Sequence, residues 1–145
     1  MNTEQHFKSL ISMYAAAPVN LIYQPTLKIS EGQAEIEIEL SSKFHHSAGA
    51  VHGSVYFKLL DDAAFFAAQS FEPEVFVLTT SFTTYLTRPV SVGSLKAIGK
   101  VVNKNKTQFI AESVVYDAHG NEVGRGNGII VRGKFPLIQA TGYAG

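Results

Sequence analysis

One segment in the middle of the chain constrains the fold more than any other. Between residues 55 and 71, apolar side chains occupy nearly every side of a helical projection: Val55, Tyr56, Phe57, Leu59, Leu60, Ala63, Ala64, Phe65, Phe66, Ala67, Ala68 and Phe71. A helix that is apolar all round is stable only when other elements enclose it. The rest of the chain must therefore provide a surface that wraps around this helix.

Strand patterns lie on both sides of the central helix. Residues 34–40 alternate between apolar side chains and glutamates, which predicts a half-buried strand with a solvated acidic face. Four segments rich in β-branched and aromatic residues follow the helix, at residues 75–86, 95–102, 108–116 and 122–131. Turn residues at 88–93, 103–106 and 118–121 separate them. We therefore expect an antiparallel meander.

The predicted fold class is α+β. A curved antiparallel sheet of five to six strands, wrapped around one long central helix, would bury that helix. Apolar residues recur at helical spacing behind Thr3, a predicted N-cap, and indicate a short N-terminal helix that closes an open end: Phe7, Leu10, Ile11 and Tyr14. This is the hotdog arrangement. A ferredoxin-like alternative would need a second amphipathic helix between the later strands, which the sequence does not show.

Length and composition limit the function classes. The 145 residues suit one domain, 1–145, in which we expect residues 136–145 to form a loose tail. Equal numbers of acidic and basic residues, 12 each, argue against a nucleic-acid partner. No apolar run reaches the roughly 18 residues of a membrane span, and the N-terminus lacks the pattern of a secretory signal, so we expect a cytoplasmic protein with no membrane partner. The absence of cysteine excludes disulfides and a cysteine nucleophile.

Two adjacent aspartates interrupt the apolar surface of the central helix. Lys58 precedes Asp61 by three residues and Asp62 by four, so it can pair with either. We assign Lys58 to Asp62. For Asp61 two interpretations stay open: it shares the lysine, or it is a carboxylate held in an apolar cleft, able to activate water or attack an acyl carbon.

A polar loop, residues 44–53, runs directly into this helix. The first N–H groups of a helix have no intrahelical acceptor, so those of Gly53 and Ser54 could polarise a carbonyl and stabilise an oxyanion. The alternative is that His52 only caps the helix and Gly53 only makes the turn. Metal binding by His45, His46 and His52 ranks third, because adjacent loop histidines match no recognised zinc spacing.

The distance between Gly53 and Asp61 has a consequence for assembly. Eight residues of helix separate them, which is about 12 Å at about 1.5 Å per residue. Both cannot act on one small acyl group within a single chain. A two-fold dimer with antiparallel helices side by side would join Gly53 of one subunit to Asp61 of the other. We expect Ala64 and Ala68, on the same stripe as Asp61, to permit that approach.

This segment resembles the hotdog-fold acyl-CoA thioesterases of the phenylacetic-acid pathway and 4-hydroxybenzoyl-CoA type. Their pattern is roughly Asn-x-x-Gly-x-x-His-Gly-Gly, then six residues, a catalytic Asp and an Ala two later. The chain matches this register without gaps over His46, Gly49, His52, Gly53, Ser54, Asp61 and Ala63, with His46 in place of the Asn and Ser54 in place of the second Gly. The resemblance covers nearly the whole chain, including Arg88-Pro89 after the first long strand.

The resemblance implies thioester hydrolysis at a dimer interface, without a cofactor. Asp61 would be the general base or nucleophile and the Gly53 amide would polarise the carbonyl, with His52 beside it and Ser54 still offering its N–H to substrate. His46 replaces an amide by an imidazole, which donates or accepts hydrogen bonds and titrates near neutrality. Thr79 would orient water or the acid, although an ordinary strand threonine is the favoured interpretation.

The implied substrate is a small, medium-chain or aromatic acyl thioester of coenzyme A or of an acyl carrier protein. Phe57, Phe65 and Phe66 line an acyl pocket or simply fill the core. Basic side chains could meet coenzyme A phosphates, although each one alone is ordinary solvated surface: Arg88, Lys104, Lys106, Arg125 and Arg132.

The resemblance also allows dimers to pair into homotetramers. The alternative function is a non-catalytic acyl-CoA binding or sensing module that lost turnover with the asparagine. A hydratase-type hotdog is disfavoured, because its Asp and His constellation is not evident. A purely structural role gives no reason for an aspartate at position 61.

Overall fold

The computed structural model describes residues 2–144, which form three helices and six strands. The helices are α1 (Thr3–Ala16), α2 (Asn20–Tyr23) and α3 (Gly53–Gln69). The strands are β1 (Thr26–Ser30), β2 (Gln33–Glu39), β3 (Val75–Leu86), β4 (Ser94–Lys104), β5 (Gln108–Tyr116) and β6 (Glu122–Pro136). They form one antiparallel sheet that curves around α3, as the hotdog prediction requires. No helix in this range has the length and apolar character to cross a membrane.

The central helix is buried against the sheet. Leu59, Leu60 and Ala63 are at most 1% exposed, and the Ser113 hydroxyl of β5 donates to the Leu60 carbonyl at 2.7 Å. The closest approach is at Gly99 of β4, where an added Cβ would overlap the backbone of Ala63. A strand residue without a side chain therefore lets the helix backbone rest directly on the sheet.

The predicted meander is correct for β4, β5 and β6 but wrong for β3. The sheet order is β1-β2-β4-β5-β6-β3, so β3 pairs with β6 and forms an edge. Glycines on β6 make this pairing possible, because a Cβ at Gly126 or Gly128 would lie within 2.6 Å of the Phe82 ring. The alternating glycines of β6 thus accommodate an aromatic side chain of its neighbour.

Both ends of the described chain pack on the body of the domain. Helix α1 is capped by the side chain of Asn2, not Thr3, and it buries His6, Leu10, Met13 and Tyr14, whereas Ile11 of the predicted stripe is 39% exposed. We expected residues 136–145 to form a loose tail, but Leu137 and Tyr143 are buried in the structure. His6 lies 2.7 Å from the Tyr143 hydroxyl and 2.9 Å from the Gln69 carbonyl oxygen, so it joins the two ends of the chain to α3.

Candidate active site

Asp61 lines a cleft of about 390 Å³ between α3, β3 and α1. Its Oδ1 accepts a 2.8 Å hydrogen bond from the Thr79 hydroxyl of β3. Burial raises the pKa of Asp61 and the charge of Asp62 adds to this, while the Thr79 bond and the charge of Lys58 act in the opposite direction. A carboxylate with a raised pKa is a better proton acceptor when ionised than a solvated one.

Asp62 is the partner of Lys58, as predicted. Lys58 Nζ lies 2.6 Å from Asp62 Oδ2, and the Tyr14 hydroxyl of α1 donates to the same oxygen at 2.7 Å. Lys58 also lies over the rings of Tyr14 and Tyr23. Burial raises the pKa of Asp62, and Lys58 is the main influence that lowers it. Burial also raises the pKa of Tyr14, and the charge of Asp62 adds to this. Within residues 2–144, Asp61 forms no ion pair of its own.

The remaining walls of the Asp61 cleft are largely apolar. Helix α3 contributes Phe65 and Phe66, and β3 contributes Phe76 and Leu78. The end of α1 and the following turn contribute Met13, Ala17 and Val19, and Asn20 begins α2. Phe57 is instead 42% exposed and packs against Phe82. Of the three phenylalanines expected at an acyl pocket, Phe65 and Phe66 therefore line this cleft and Phe57 does not. The contribution of α1 to this cleft was not predicted, because the sequence pattern indicated only a helix that closes an open end of the curved sheet.

Gly53 lines a different cleft, of about 410 Å³, at the amino end of α3. His46, Tyr56, Leu86 and Arg88 are among its other walls, and it shares no lining residue with the Asp61 cleft. Throughout the described range, no protein group accepts the Gly53 N–H. Gly53 therefore presents a free amide at the positive end of a helix dipole.

His52 caps α3, as one of the two interpretations predicted. Its Nδ1 accepts the Ser54 N–H at 3.1 Å and lies 2.8 Å from the Ser54 hydroxyl. The Ser54 N–H, which was expected to serve substrate, therefore already donates to the cap. Only the Gly53 amide remains from the predicted pair.

The other loop histidines make local bonds. His46 is exposed and its Nδ1 accepts the Ala48 N–H at 3.0 Å, on the wall of the Gly53 cleft. His45 donates from Nε2 to the Ser91 carbonyl at 2.8 Å. Across residues 2–144, no group of three or more His, Asp or Glu side chains is arranged to hold a metal ion.

The structure places one predicted basic residue, Arg88, beside Gly53 in the same chain. Lys104 lies over the Phe71 ring, 3.7 Å from its centroid, past the carboxyl end of α3, and Lys106 follows in the same turn. Arg125 pairs with Glu122, and Arg132 pairs with Glu72.

The expected helix contact through Ala64 and Ala68 is wrong. Both are fully buried within their own chain, where they pack in a cluster with Val77, Phe109, Ala111 and Ile130. The less buried side of α3 carries Ser54, Phe57, Lys58, Asp61 and Phe65 instead.

A curved antiparallel sheet around one central helix defines a hotdog fold. The family model of the Thioesterase superfamily matches residues 48–123, more than half of the chain, and the chain belongs to this superfamily. No curated protein sequence matches it.

Solved structures share the fold at low sequence identity. The Escherichia coli PaaI protein from the phenylacetic acid degradation operon has a TM-score of 0.84 at 18% identity, over 92% of this chain and 97% of that one. AziG of S. sahachiroi has 0.75 at 21%, over 81% and 97%. A phenylacetic acid degradation-related protein of Ralstonia eutropha has 0.76 at 16%, over 87% and 98%. These similarities establish a PaaI-type hotdog fold.

Proposed function

We propose that this protein hydrolyses acyl-CoA thioesters of small, medium-chain or aromatic acids. The observation that carries the proposal is the presence of two separate clefts along α3, which we interpret as the two halves of one site. Asp61, with a raised pKa and a single hydroxyl donor, lines an apolar cleft, while the unpaired Gly53 N–H lines a separate one. The first half can activate water or attack an acyl carbon, and the second can stabilise an oxyanion.

Two chains are needed to bring both halves to one carbonyl. Gly53 and Asp61 stand about 12 Å apart along α3, at about 1.5 Å per residue. The edge strand β3 exposes Leu78, Tyr85 and Leu86, so a second copy can bury apolar side chains there and pair with a free strand edge. A two-fold dimer would contain two equal composite sites, and dimers of this kind could pair again into tetramers.

The proposed chemistry uses each residue at a defined atom. Asp61 takes a proton from water while the water oxygen attacks the thioester carbon, and the resulting oxyanion accepts the partner chain's Gly53 N–H. Collapse breaks the C–S bond, and the thiolate of coenzyme A takes up the proton. In the nucleophilic variant, the Asp61 carboxylate attacks the thioester carbon and expels the coenzyme A thiolate, and water then hydrolyses the mixed anhydride to the free acid and returns the Asp61 carboxylate. Thr79 holds the carboxylate, while His46 and Arg88, beside Gly53, suit polar and phosphate groups of the substrate.

An acyl-CoA panel and the variant Asp61→Asn test the activity. Wild type should hydrolyse part of the panel, and Asp61→Asn should lose at least about a hundredfold in kcat while it still binds substrate. Glu39→Gln, on the solvated face of β2, is the control and should behave as wild type. A protein that binds acyl-CoA and hydrolyses none of the panel would instead be a non-catalytic binding or sensing module.

Mixed dimers test the composite site. Asp61→Asn chains and Gly53→Pro chains, each inactive alone, are unfolded together and refolded at equal concentrations. Half of the dimers are then mixed, and one of the two sites in each is intact, so about one quarter of wild-type activity should return. A site contained within one chain would recover nothing.

A further inference from the structure

We propose that the end of α1 and its following turn form a specificity wall that sets the size of the acyl group beside Asp61. The wall consists of Met13, Ala17 and Val19, which line the Asp61 cleft. The inference deepens the proposed function and rests on it. The wall also lies outside residues 48–123, the part of the chain that matches the superfamily.

The path of α1 places the wall along the cleft. His6 of α1 bonds to Gln69 near the carboxyl end of α3, and Tyr14 bonds to Asp62 about two turns earlier on α3. The two helices therefore run antiparallel, and Ala17 and Val19 continue toward the level of Lys58. Phe76 and Leu78 of β3 also line the cleft, with Asp61 on α3. An acyl group attached at Asp61 would lie among these side chains.

Three contacts hold the wall in place. Tyr14 donates to Asp62, and its ring packs edge-on against Phe66 with 4.8 Å between the centroids. Beyond the helix end, the buried Asn20 donates from Nδ2 to the Tyr14 carbonyl at 2.6 Å. Because the turn is tied to α1 and α1 is tied to α3, the wall is a fixed boundary of the cleft.

The chemistry of the cleft indicates the class of acyl group. Its volume of about 390 Å³ lies within the usual range for pockets that bind small organic ligands. Thr79 bonds to Asp61, and Lys58 and Tyr14 bond to Asp62. The Oδ1 of the buried Asn20 accepts no hydrogen bond within the described residues. An acyl group that ends in a carboxylate would bury an anion beside two aspartates. The cleft therefore suits an uncharged acyl group of medium length.

Two alanines on one segment provide a matched test. Ala17 lines the cleft, whereas Ala15 is exposed on α1. We measure the binding of S-butyl-CoA and S-octyl-CoA, thioethers that cannot be hydrolysed, to wild type, Ala17→Phe and Ala15→Phe. If Ala17→Phe excludes about two methylene groups, its affinity for the octyl compound should fall about tenfold. Its affinity for the butyl compound, and both affinities of Ala15→Phe, should stay at the wild-type values.

The result that overturns the proposal is an Ala17→Phe protein whose two affinities keep the wild-type ratio. Val19→Phe is the second variant, because Val19 is 48% exposed and a larger side chain there does not disturb the core. It should also weaken octyl binding selectively. Hydrolysis of the acyl-CoA panel separates the two proposals: a wild type that hydrolyses no member contradicts thioesterase activity, whereas the binding ratio alone decides the role of the wall.

Discussion

The free N–H of Gly53 can be removed with little other change to the protein. Gly53 is the first residue of α3, where proline is well tolerated because no intrahelical hydrogen bond is lost. The preceding residue, His52, is extended at φ −61° and ψ 141°, a conformation compatible with a following proline. The variant Gly53→Pro therefore isolates the proposed oxyanion donor.

The matched control is Gly53→Ala, which keeps the N–H. Both variants add a Cβ, which would lie 2.7 Å from Leu86 Cδ1, but the Leu86 side chain is 51% exposed and can move. Loss of one oxyanion donor lowers kcat by about 10²–10³, or about 2.7–4 kcal/mol. We expect a loss of this size for Gly53→Pro, and a loss below about tenfold for Gly53→Ala.

The assay follows thiol release from octanoyl-CoA with a thiol reagent. Because the chain contains no cysteine, the reagent reports only the coenzyme A that is released. A binding measurement on each variant separates poor substrate affinity from slow chemistry. Equal losses in the two variants would show a steric effect of the added carbon, and an undiminished Gly53→Pro would refute carbonyl polarisation by this amide.

Three further predictions concern the acid and the packing of α3. Thr79→Val removes the donor that favours the charged form of Asp61, so the pKa of Asp61 rises further and the acid limb of the kcat/KM profile moves to higher pH. On the acid limb, a rise of one pKa unit lowers kcat/KM at a given pH by up to about tenfold, and a profile identical to wild type would contradict this role. The raised pKa of Asp61 also means that its ionisation costs stability as pH rises from the unfolded pKa of about 3.8 through the folded pKa. Asp61→Asn should therefore melt at a higher temperature than wild type at pH 8, by about 2–4 °C for each kcal/mol recovered, and equal melting points at pH 8 would count against this. Gly99→Ala should lower the free energy of unfolding by about 1–3 kcal/mol, measured in urea, because its Cβ would overlap the backbone of Ala63; an unchanged midpoint would exclude that close approach.

Local patterns in the sequence were sufficient for most of the fold. The alternation in residues 34–40 and the apolar helix predicted elements correctly, because these patterns report burial along a single segment. The partner of β3 could not be predicted in this way, since all the later strands have similar composition. Gly126 and Gly128 of β6 leave space for the Phe82 ring of β3, and this complementarity exists only between segments that are distant in sequence.

The candidate site likewise combines features that follow from the sequence with features that depend on the tertiary structure. The sequence by itself determined the residue types, the register and the spacing of Gly53 and Asp61, because helical rise is a property of the backbone. Only the tertiary structure decided that Ser54 donates its N–H to His52 and that α1 forms one wall of the cleft. Because α3 is apolar on nearly every side, its own sequence does not determine which face turns toward the sheet. Its rotation depends on how it packs on the sheet, including the close contact at Gly99, and that rotation turns Ala64 and Ala68 inward while Asp61 lines the cleft.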